Sequence, residues 1–228
     1  MIWKKRGQYT TFEEYVIQTA GVAPAELHLM EQDRGNCPGL AEAARMMRET
    51  AAAGGRICVV GDYDADGIDA LCIFYYLLRK LEAKMTLLVP RRISEGYGFS
   101  GKILKRVPAD TQLLITVDNG ISSAETIAQV KADGRKVIVI DHHELLPGTD
   151  GAMHLPPADL VIDPTVLPEG WSDTHYCGAG LSYLLAEEMF PDDPGLLDLA
   201  AGFAAVGTVA DVVPLNGKNR RIVRRGLR

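Results

Sequence analysis

The sequence predicts an α/β fold in which a parallel β-sheet is flanked by helices on both faces. From Arg56 onward, short apolar runs rich in Val, Ile and Leu alternate with helical stretches, which is typical of parallel strands buried on both faces. Three of these runs are followed at once by Asp or Asp-His clusters. Because ligand sites in open parallel sheets lie beyond the carboxyl ends of the strands, we expect these clusters to converge on one crevice.

Composition limits the class of protein. The chain has 228 residues, a net charge of −6 and 47% hydrophobic residues, which is enough to bury one substantial core in an ordinary globular protein. No apolar stretch approaches the roughly 20 residues that a membrane span needs, and no apolar segment follows the basic N-terminus as it would in a secretory signal. The four cysteines are far apart and show no CxxC spacing, which favours a reducing, cytoplasmic setting.

The first 54 residues are expected to form a short helical segment that leads into a catalytic domain at residues 55–228. Thr10 or Thr11 can cap a helix that ends at Gly21. A second helix is expected over Leu40–Ala53, closed by two glycines. This part carries no recognisable catalytic constellation.

The strands and helices of the catalytic domain follow in order. Strands are expected at Ile57–Val60, Met85–Val89, Leu113–Val117, Val137–Ile140 and Leu160–Ile162. Helices are expected at Ala70–Leu81, Ser122–Lys131 and Leu181–Met189. Glycine, proline and Asp-Pro breaks end the apolar runs, as turn residues do at strand ends.

The acidic run after the first strand, DYDADG at 62–67, is the first candidate site. Carboxylates this close repel one another unless a cation lies between them. Taken alone, the run could be an acidic surface turn. Similar clusters follow two further strands: Asp118 comes after the third strand and Asp141-His142-His143 after the fourth. Three unrelated surface turns, each placed just after a buried strand, are a poor explanation of this pattern. Carboxylates with imidazole fit Mn²⁺ or Mg²⁺ better than a structural zinc, which normally takes cysteine.

The motifs GDYDADG, TVDNGIS and DHH, in this order, resemble the DHH phosphoesterase superfamily. RRISEGYGFS, CGAGLSYLL and AAVGTVADVVPLNGKNR narrow the resemblance to RecJ-type single-strand-specific exonucleases. The resemblance implies a metal-dependent hydrolase that degrades single-stranded DNA from the 5′ end in DNA repair and recombination. RecJ-like proteins continue into a DHH-associated domain and an oligonucleotide-binding barrel, so the chain is expected to be either a catalytic-core fragment without them or an unusually short family member.

The resemblance also implies a two-metal site, usually with Mn²⁺. The matching ligand positions are Asp62, Asp64, Asp66, Asp118, His142 and Asp211. Catalytic roles would fall to Asp64, Asp118, His142 and His143, with Asp118 bridging the metals and His143 facing the substrate phosphate. Asp141 can hold a histidine in orientation. The expected chemistry is in-line attack by a metal-activated water, without a covalent enzyme intermediate.

Substrate contacts are expected at two further places. Arg91 and Arg92 stand beside a glycine-rich turn and could grip backbone phosphates, with Tyr97 or Phe99 stacking on bases; an ordinary solvated loop is the alternative. The glycines of the GAG run, Gly178 and Gly180, could present backbone N–H groups to a phosphate. The basic run after residue 217 could touch nucleic acid or serve as a connector.

Two alternatives to the exonuclease stay open at the sequence level. One is another DHH activity, namely hydrolysis of short oligonucleotides, cyclic dinucleotides or pyrophosphate. The other is an inactive DHH domain that serves as a binding module. The expected partner is single-stranded DNA, without membrane association, and a monomer is favoured. Asp69 departs from the Thr or Ser common in the family, and its carboxylate could complement a helix N-terminus or alter metal affinity.

Overall fold

The computed structural model describes Glu14 and residues 37–96, 98–147, 151–166 and 175–228. Within these ranges the strands are Arg56–Val60 (β1), Lys84–Leu88 (β2), Thr111–Val117 (β3), Lys136–Ile140 (β4) and Leu160–Ile162 (β5). They form one sheet in the order β2-β1-β3-β4-β5, and every neighbouring pair is parallel. The predicted fold class is confirmed.

Helices connect and cover these strands. They are Leu40–Ala52 (α1), Ala65–Lys80 (α2), Arg92–Glu95 (α3), Gly101–Leu104 (α4), Ala124–Ala132 (α5), Gly178–Met189 (α6), Pro194–Ala210 (α7) and Gly217–Gly226 (α8). No helix of the described ranges combines the length and apolar character that a membrane crossing needs.

The sheet separates two hydrophobic cores, because successive strand residues point to opposite faces. Cys58 and Val60 of β1 pack with buried residues of α4 and α5. Ile57 and Val59 face the larger core, to which α1, α2, α6, α7 and α8 all contribute. Both faces of the sheet are therefore covered, as predicted.

The strand order places a topological switch between β1 and β3. The chain leaves β1 through α2 to reach β2 on one side, and later returns through α3 and α4 to β3 on the other side. In doubly wound sheets the crevice at such a switch point, beyond the carboxyl ends of the strands, is where ligands bind. The fold thus brings the segments after β1 and β3 to the same crevice.

Three predictions about elements need comment. Helix α2 begins at Ala65 rather than Ala70, because the Asp64 side chain accepts the N–H of Gly67 at 3.0 Å and caps the helix. Helix α7 was not predicted. The helix expected after Thr10 or Thr11 lies outside the described residues. The division at residue 54 stays a prediction, and α1 packs into the larger core.

Candidate metal centre

A buried aspartate follows each of four neighbouring strands at the carboxyl edge of the sheet. Asp62 follows β1, Asp118 follows β3, Asp141 follows β4 and Asp163 follows β5, and none of them is more than 1% exposed. Buried carboxylates are rare unless paired or bound to a metal. These four buried negative groups at one edge of the sheet make that edge the candidate site for a cation.

Asp118 lies at the centre of this arrangement. Its φ of 60° falls in the left-handed region, which non-glycine residues seldom adopt. Its Oδ1 lies 3.0 Å from His142 Nε2, while no group of the described residues donates a hydrogen bond to its buried Oδ2. Burial, together with the charges of Asp66, Asp64 and Asp141, raises the pKa of Asp118 to about 11. A bound cation would give this carboxylate oxygen a partner and would offset the repulsion among the neighbouring negative charges.

Among the described residues, two groups of potential metal ligands share Asp118. One consists of Asp118, His142 and His143, and the other of Asp62, Asp64 and Asp118; within each group the ligand atoms lie within 4.8 Å of one another. A carboxylate common to two adjacent ligand groups is the arrangement expected of a bridge between two cations. The donor set of carboxylates and imidazole fits Mn²⁺ or Mg²⁺.

Asp66 is held by the N-terminus of α6. Its Oδ2 accepts the N–H of Gly178 at 2.6 Å and its Oδ1 accepts the N–H of Ala179 at 2.9 Å. A helix N-terminus stabilises such a carboxylate with both its free N–H groups and its dipole. Asp66 Oδ2 also lies 3.8 Å from His142 Nε2, so Asp66 stands beside the two ligand groups.

The expectation that the GAG run presents N–H groups to a phosphate is wrong. The Gly178 N–H is donated to Asp66, and the Gly180 N–H is donated to Cys177 Sγ at 3.3 Å. Gly178 is instead required for close packing, since a Cβ added there would lie 2.6 Å from the Asp118 Cβ. The anion at this helix end belongs to the protein itself.

The two histidines of the DHH motif have different partners. Asp141 Oδ1 lies 2.7 Å from His143 Nδ1 and accepts the backbone N–H of His142 at 2.8 Å, while Oδ2 accepts the N–H of Ile121. The hydrogen bond that the Asp141 carboxylate accepts from the ring raises the pKa of His143, which favours the charged form of the ring. Asp141 therefore orients His143, as the sequence suggested.

Helix α7 ends at Ala210, and its C-cap residue, Asp211, brings a carboxylate to the other side of His142. Asp211 Oδ2 lies 3.8 Å from His142 Nδ1. Burial raises the pKa of the Asp211 carboxyl. The residue predicted from the GTVADVVPL stretch thus lies next to the DHH motif, although it is distant from it in sequence.

The residues of the segment after β2 that were expected to contact substrate differ in exposure. Arg91 and Arg92 are exposed, and the Arg92 guanidinium carbon lies 5.1 Å from the centre of the Tyr63 ring. Tyr97 lies outside the described residues. Phe99 is 2% exposed and packs in the smaller core. Its suggested role in base stacking is therefore wrong.

Sequence reasoning missed two polar residues of the site. Asp163 is fully buried; its Oδ1 accepts the backbone N–H and the hydroxyl of Thr165, and its Oδ2 has no partner. Asn119 Nδ2 donates to the carbonyls of Val117 and Val60, joining the ends of β3 and β1. Asp163 directly follows β5, and Asn119 follows Asp118 at the end of β3. This position after a strand was the sequence signal that could have identified both residues.

Comparison with known proteins agrees with this geometry. The model of the DHH family, N-terminal domain, matches residues 56–208, which is more than half of the chain. The chain belongs to the DHH family. Its DHH core is of the RecJ type: it is 35% identical over 205 residues to the single-stranded-DNA-specific exonuclease RecJ of Haemophilus influenzae and 39% identical over 195 residues to that of Thermus thermophilus.

Those alignments cover 83% of this DHH chain in both cases, but 34% and 27% of the relatives. The chain therefore spans about a third of the length of the curated relatives it matches. A crystal structure of exonuclease RecJ bound to manganese superimposes with a TM-score of 0.74 at 35% identity, over 86% of this chain and 49% of that one. The likeness concerns the DHH core and leaves the rest of those proteins unmatched.

Proposed function

We propose that this chain carries the catalytic core of a metal-dependent phosphodiesterase that removes nucleotides from the 5′ end of single-stranded DNA, in repair and recombination. The observation that carries the proposal is Asp118, a buried carboxylate that is common to both ligand groups and has one oxygen without a partner. The substrate class rests on the relatives, which are named as single-stranded-DNA-specific exonucleases.

The proposed cofactor is Mn²⁺ or Mg²⁺ at two adjacent positions. Asp62, Asp64 and Asp118 would hold one ion, and Asp118 with His142 the other. Asp66 and Asp211 stay predicted as further ligands; a carboxylate oxygen has more than one acceptor direction, so the backbone contacts of Asp66 are compatible with this role. When bound, two such ions lower the pKa of a water molecule and neutralise charge on the phosphate.

The protein's own groups have distinct tasks in the proposed reaction. Asp118 fixes the geometry between the two ligand groups through its constrained backbone. His143, whose pKa is raised by Asp141, would donate a charge-assisted hydrogen bond to a phosphate oxygen. The side chain of His143 is 41% exposed, so its ring is accessible to a substrate.

Arg91 and Arg92 are the proposed contacts to backbone phosphates, and Tyr97 stays the predicted stacking residue.

A cytoplasmic setting is supported by four cysteines that are all free. A monomer, and a domain boundary near residue 54, remain our predictions. Gel filtration with light scattering tests the first, and expression of residues 55–228 alone tests the second.

The decisive experiment compares substrates in Mn²⁺. The chain is incubated with 5′- and 3′-labelled single strands, duplex DNA, dinucleotides and pyrophosphate. We expect mononucleotides to be released from the 5′ end of single strands. Preferred cleavage of dinucleotides or pyrophosphate would assign another DHH activity, and no cleavage by a chain that binds strands would indicate a binding module.

A further inference from the structure

Tyr63 lies in the chain between two of the proposed metal ligands. Its backbone N–H donates to Asp62 Oδ1 at 2.7 Å, and the next residue is the Asp64 cap of α2. The Tyr63 side chain is half-buried, and the Arg92 guanidinium lies over its ring at 5.1 Å from the centroid. This distance is within the range of a cation–π interaction. Tyr63 therefore connects the first metal motif to the segment after β2.

The backbone around Arg92 is fixed by other groups. The Glu95 carboxylate accepts the N–H of Arg91 at 2.7 Å and pairs with Arg106 at 2.6 Å. Arg106 in turn donates to the carbonyl of Val89, so the two ends of this segment are joined. The segment that carries Arg92 therefore has a defined position at the rim of the crevice.

The Arg92 side chain differs from other arginines of the described ranges in its lack of an acidic partner there. Over the part of the chain that the structure describes, no carboxylate forms an ion pair with its guanidinium, whereas Arg56, Arg45, Arg106 and Arg225 each pair with an acid. A guanidinium that stacks on an aromatic face keeps its N–H donors available for a phosphate. An unpaired cation held at the rim of an anionic crevice is suited to a polyanionic substrate.

We propose that Tyr63 is a positioning residue for the substrate: its ring holds the Arg92 guanidinium beside the metal centre, ready for a backbone phosphate of the single strand. This inference rests on the proposed function. Tyr63 acts through Arg92 and takes no part in proton transfer or metal ligation. Removal of the ring should therefore weaken strand binding and leave the turnover of bound substrate unchanged.

The test is a double-mutant cycle on Tyr63→Leu and Arg92→Met. Steady-state kinetics are measured in Mn²⁺ with a short 5′-phosphorylated oligothymidylate, and binding of the same strand is followed by fluorescence anisotropy in EDTA. An exposed cation–π contact corresponds to a change of about two- to fivefold in a binding constant. We expect Tyr63→Leu to raise KM and Kd by about that factor, with kcat unchanged, and Tyr63→Phe to behave as the parent chain.

The cycle separates positioning from other roles. In the Arg92→Met background, Tyr63→Leu should have no further effect, because the residue through which it acts is gone. The matched control is Tyr75→Leu, which removes the Arg79–Tyr75 cation–π contact on α2, where the guanidinium lies 5.8 Å from the ring centroid. This control should leave KM and Kd unchanged.

Several results would overturn the inference. An equal effect of Tyr63→Leu in both backgrounds would mean that Tyr63 touches the strand directly, and a fall in kcat or in Mn²⁺ affinity would mean a role at the metal centre. Values of KM and Kd for Tyr63→Leu equal to those of the parent chain would mean that Tyr63 has no role in substrate positioning. If the parent chain itself neither binds nor cleaves the strand, the proposed function fails, which is a different outcome from an active parent with an inert Tyr63.

Discussion

The two edges of the sheet differ in how their charged side chains are buried and paired. At the amino edge, charges are exposed or half-exposed and paired with opposite charges: Arg56 with Asp110 at 2.8 Å, and Lys131 with Asp159 at 2.6 Å. At the carboxyl edge, carboxylates are buried together, and Asp118 and Asp163 each retain an oxygen without a partner. The first arrangement pairs its charges locally, whereas the second would be stabilised by a bound cation or by retained protons.

Cavity volume alone does not distinguish the two edges, because a cavity of about 550 Å³ lined by His142 and Thr165 lies at the carboxyl edge. A cavity of about 500 Å³ lies at the amino edge, lined among others by Thr111, Gln112 and Lys136. Glu49 and Asp133 of its lining pair with Arg45 and Arg135, and among the described residues the buried lining atom without a partner is the neutral Thr111 hydroxyl rather than a carboxylate. The two edges therefore differ in uncompensated buried charge, a feature that clusters at functional sites, and not in cavity volume.

The largest expected effect comes from Asp118→Asn. The amide keeps the size of the side chain but removes the charge that both ligand groups share. We expect nuclease activity in saturating Mn²⁺ to fall by at least about 10³-fold, on the scale of losing electrostatic stabilisation at a reacting centre. Asp110→Asn at the amino edge is the control and should keep the parent activity. Turnover by Asp118→Asn close to that of the parent chain would contradict the claim that the carboxyl edge, and not the amino edge, carries the reaction.

The pH dependence of stability should have opposite signs at the two edges. Burial raises the folded-state pKa of Asp118, Asp62, Asp163 and Asp211. The metal-free folded protein therefore keeps protons that the unfolded chain releases above about pH 4. Its free energy of unfolding should fall as the pH rises from there, by about 1.4 kcal/mol per pH unit for each such proton.

At the amino edge the hydrogen bond from Arg56 lowers the pKa of Asp110, so the stability from this pair is lost only as the pH falls below about 4. Urea unfolding of the metal-free chain between pH 5 and pH 9 measures the carboxyl-edge slope. Added Mn²⁺ should flatten it, since the metal replaces the retained protons. A stability that is constant or increases with pH in the absence of metal would contradict the account.

A smaller effect is expected from Gly178→Ala. The new Cβ would stand 2.6 Å from the Asp118 Cβ, so Asp118 or the α6 N-terminus must shift. We expect a loss of about 1–3 kcal/mol in stability, the usual range for overpacking, together with reduced Mn²⁺ affinity. Gly202→Ala in α7 is the matched control, because an added Cβ there meets nothing within 4 Å. Equal behaviour of the two variants would remove the close-approach argument.

The smallest effect is expected at the amino edge itself. Replacing Asp110 by Ala breaks an ion pair with Arg56 in which the Asp110 side chain is 62% exposed. Such pairs contribute about 0–1 kcal/mol, and salt screens them further. Thermal unfolding in low and high salt should differ from the parent by no more than that, and activity should not change. A large loss of activity would mean that the amino edge matters to the reaction.

The sequence was sufficient for the sheet and for the elements that carry the acidic motifs. Buried parallel strands are continuous apolar runs, and the bounds of β5 agree with the prediction. The beginning of α2 was missed because Asp64 looks like a loop residue until its capping hydrogen bond is known. The partners of Asp66 in α6 are 112 and 113 residues away along the chain. Local pattern carries no information about such a contact.

The most direct test of the central claim is a Mn²⁺ titration of the metal-free chain by isothermal calorimetry. The claim is that the carboxyl edge holds two ions that share Asp118. We expect binding of two Mn²⁺ per chain, with affinity for both lost together in Asp118→Asn and retained in Asp110→Asn. Two ions bound with unchanged affinity by Asp118→Asn would contradict the account.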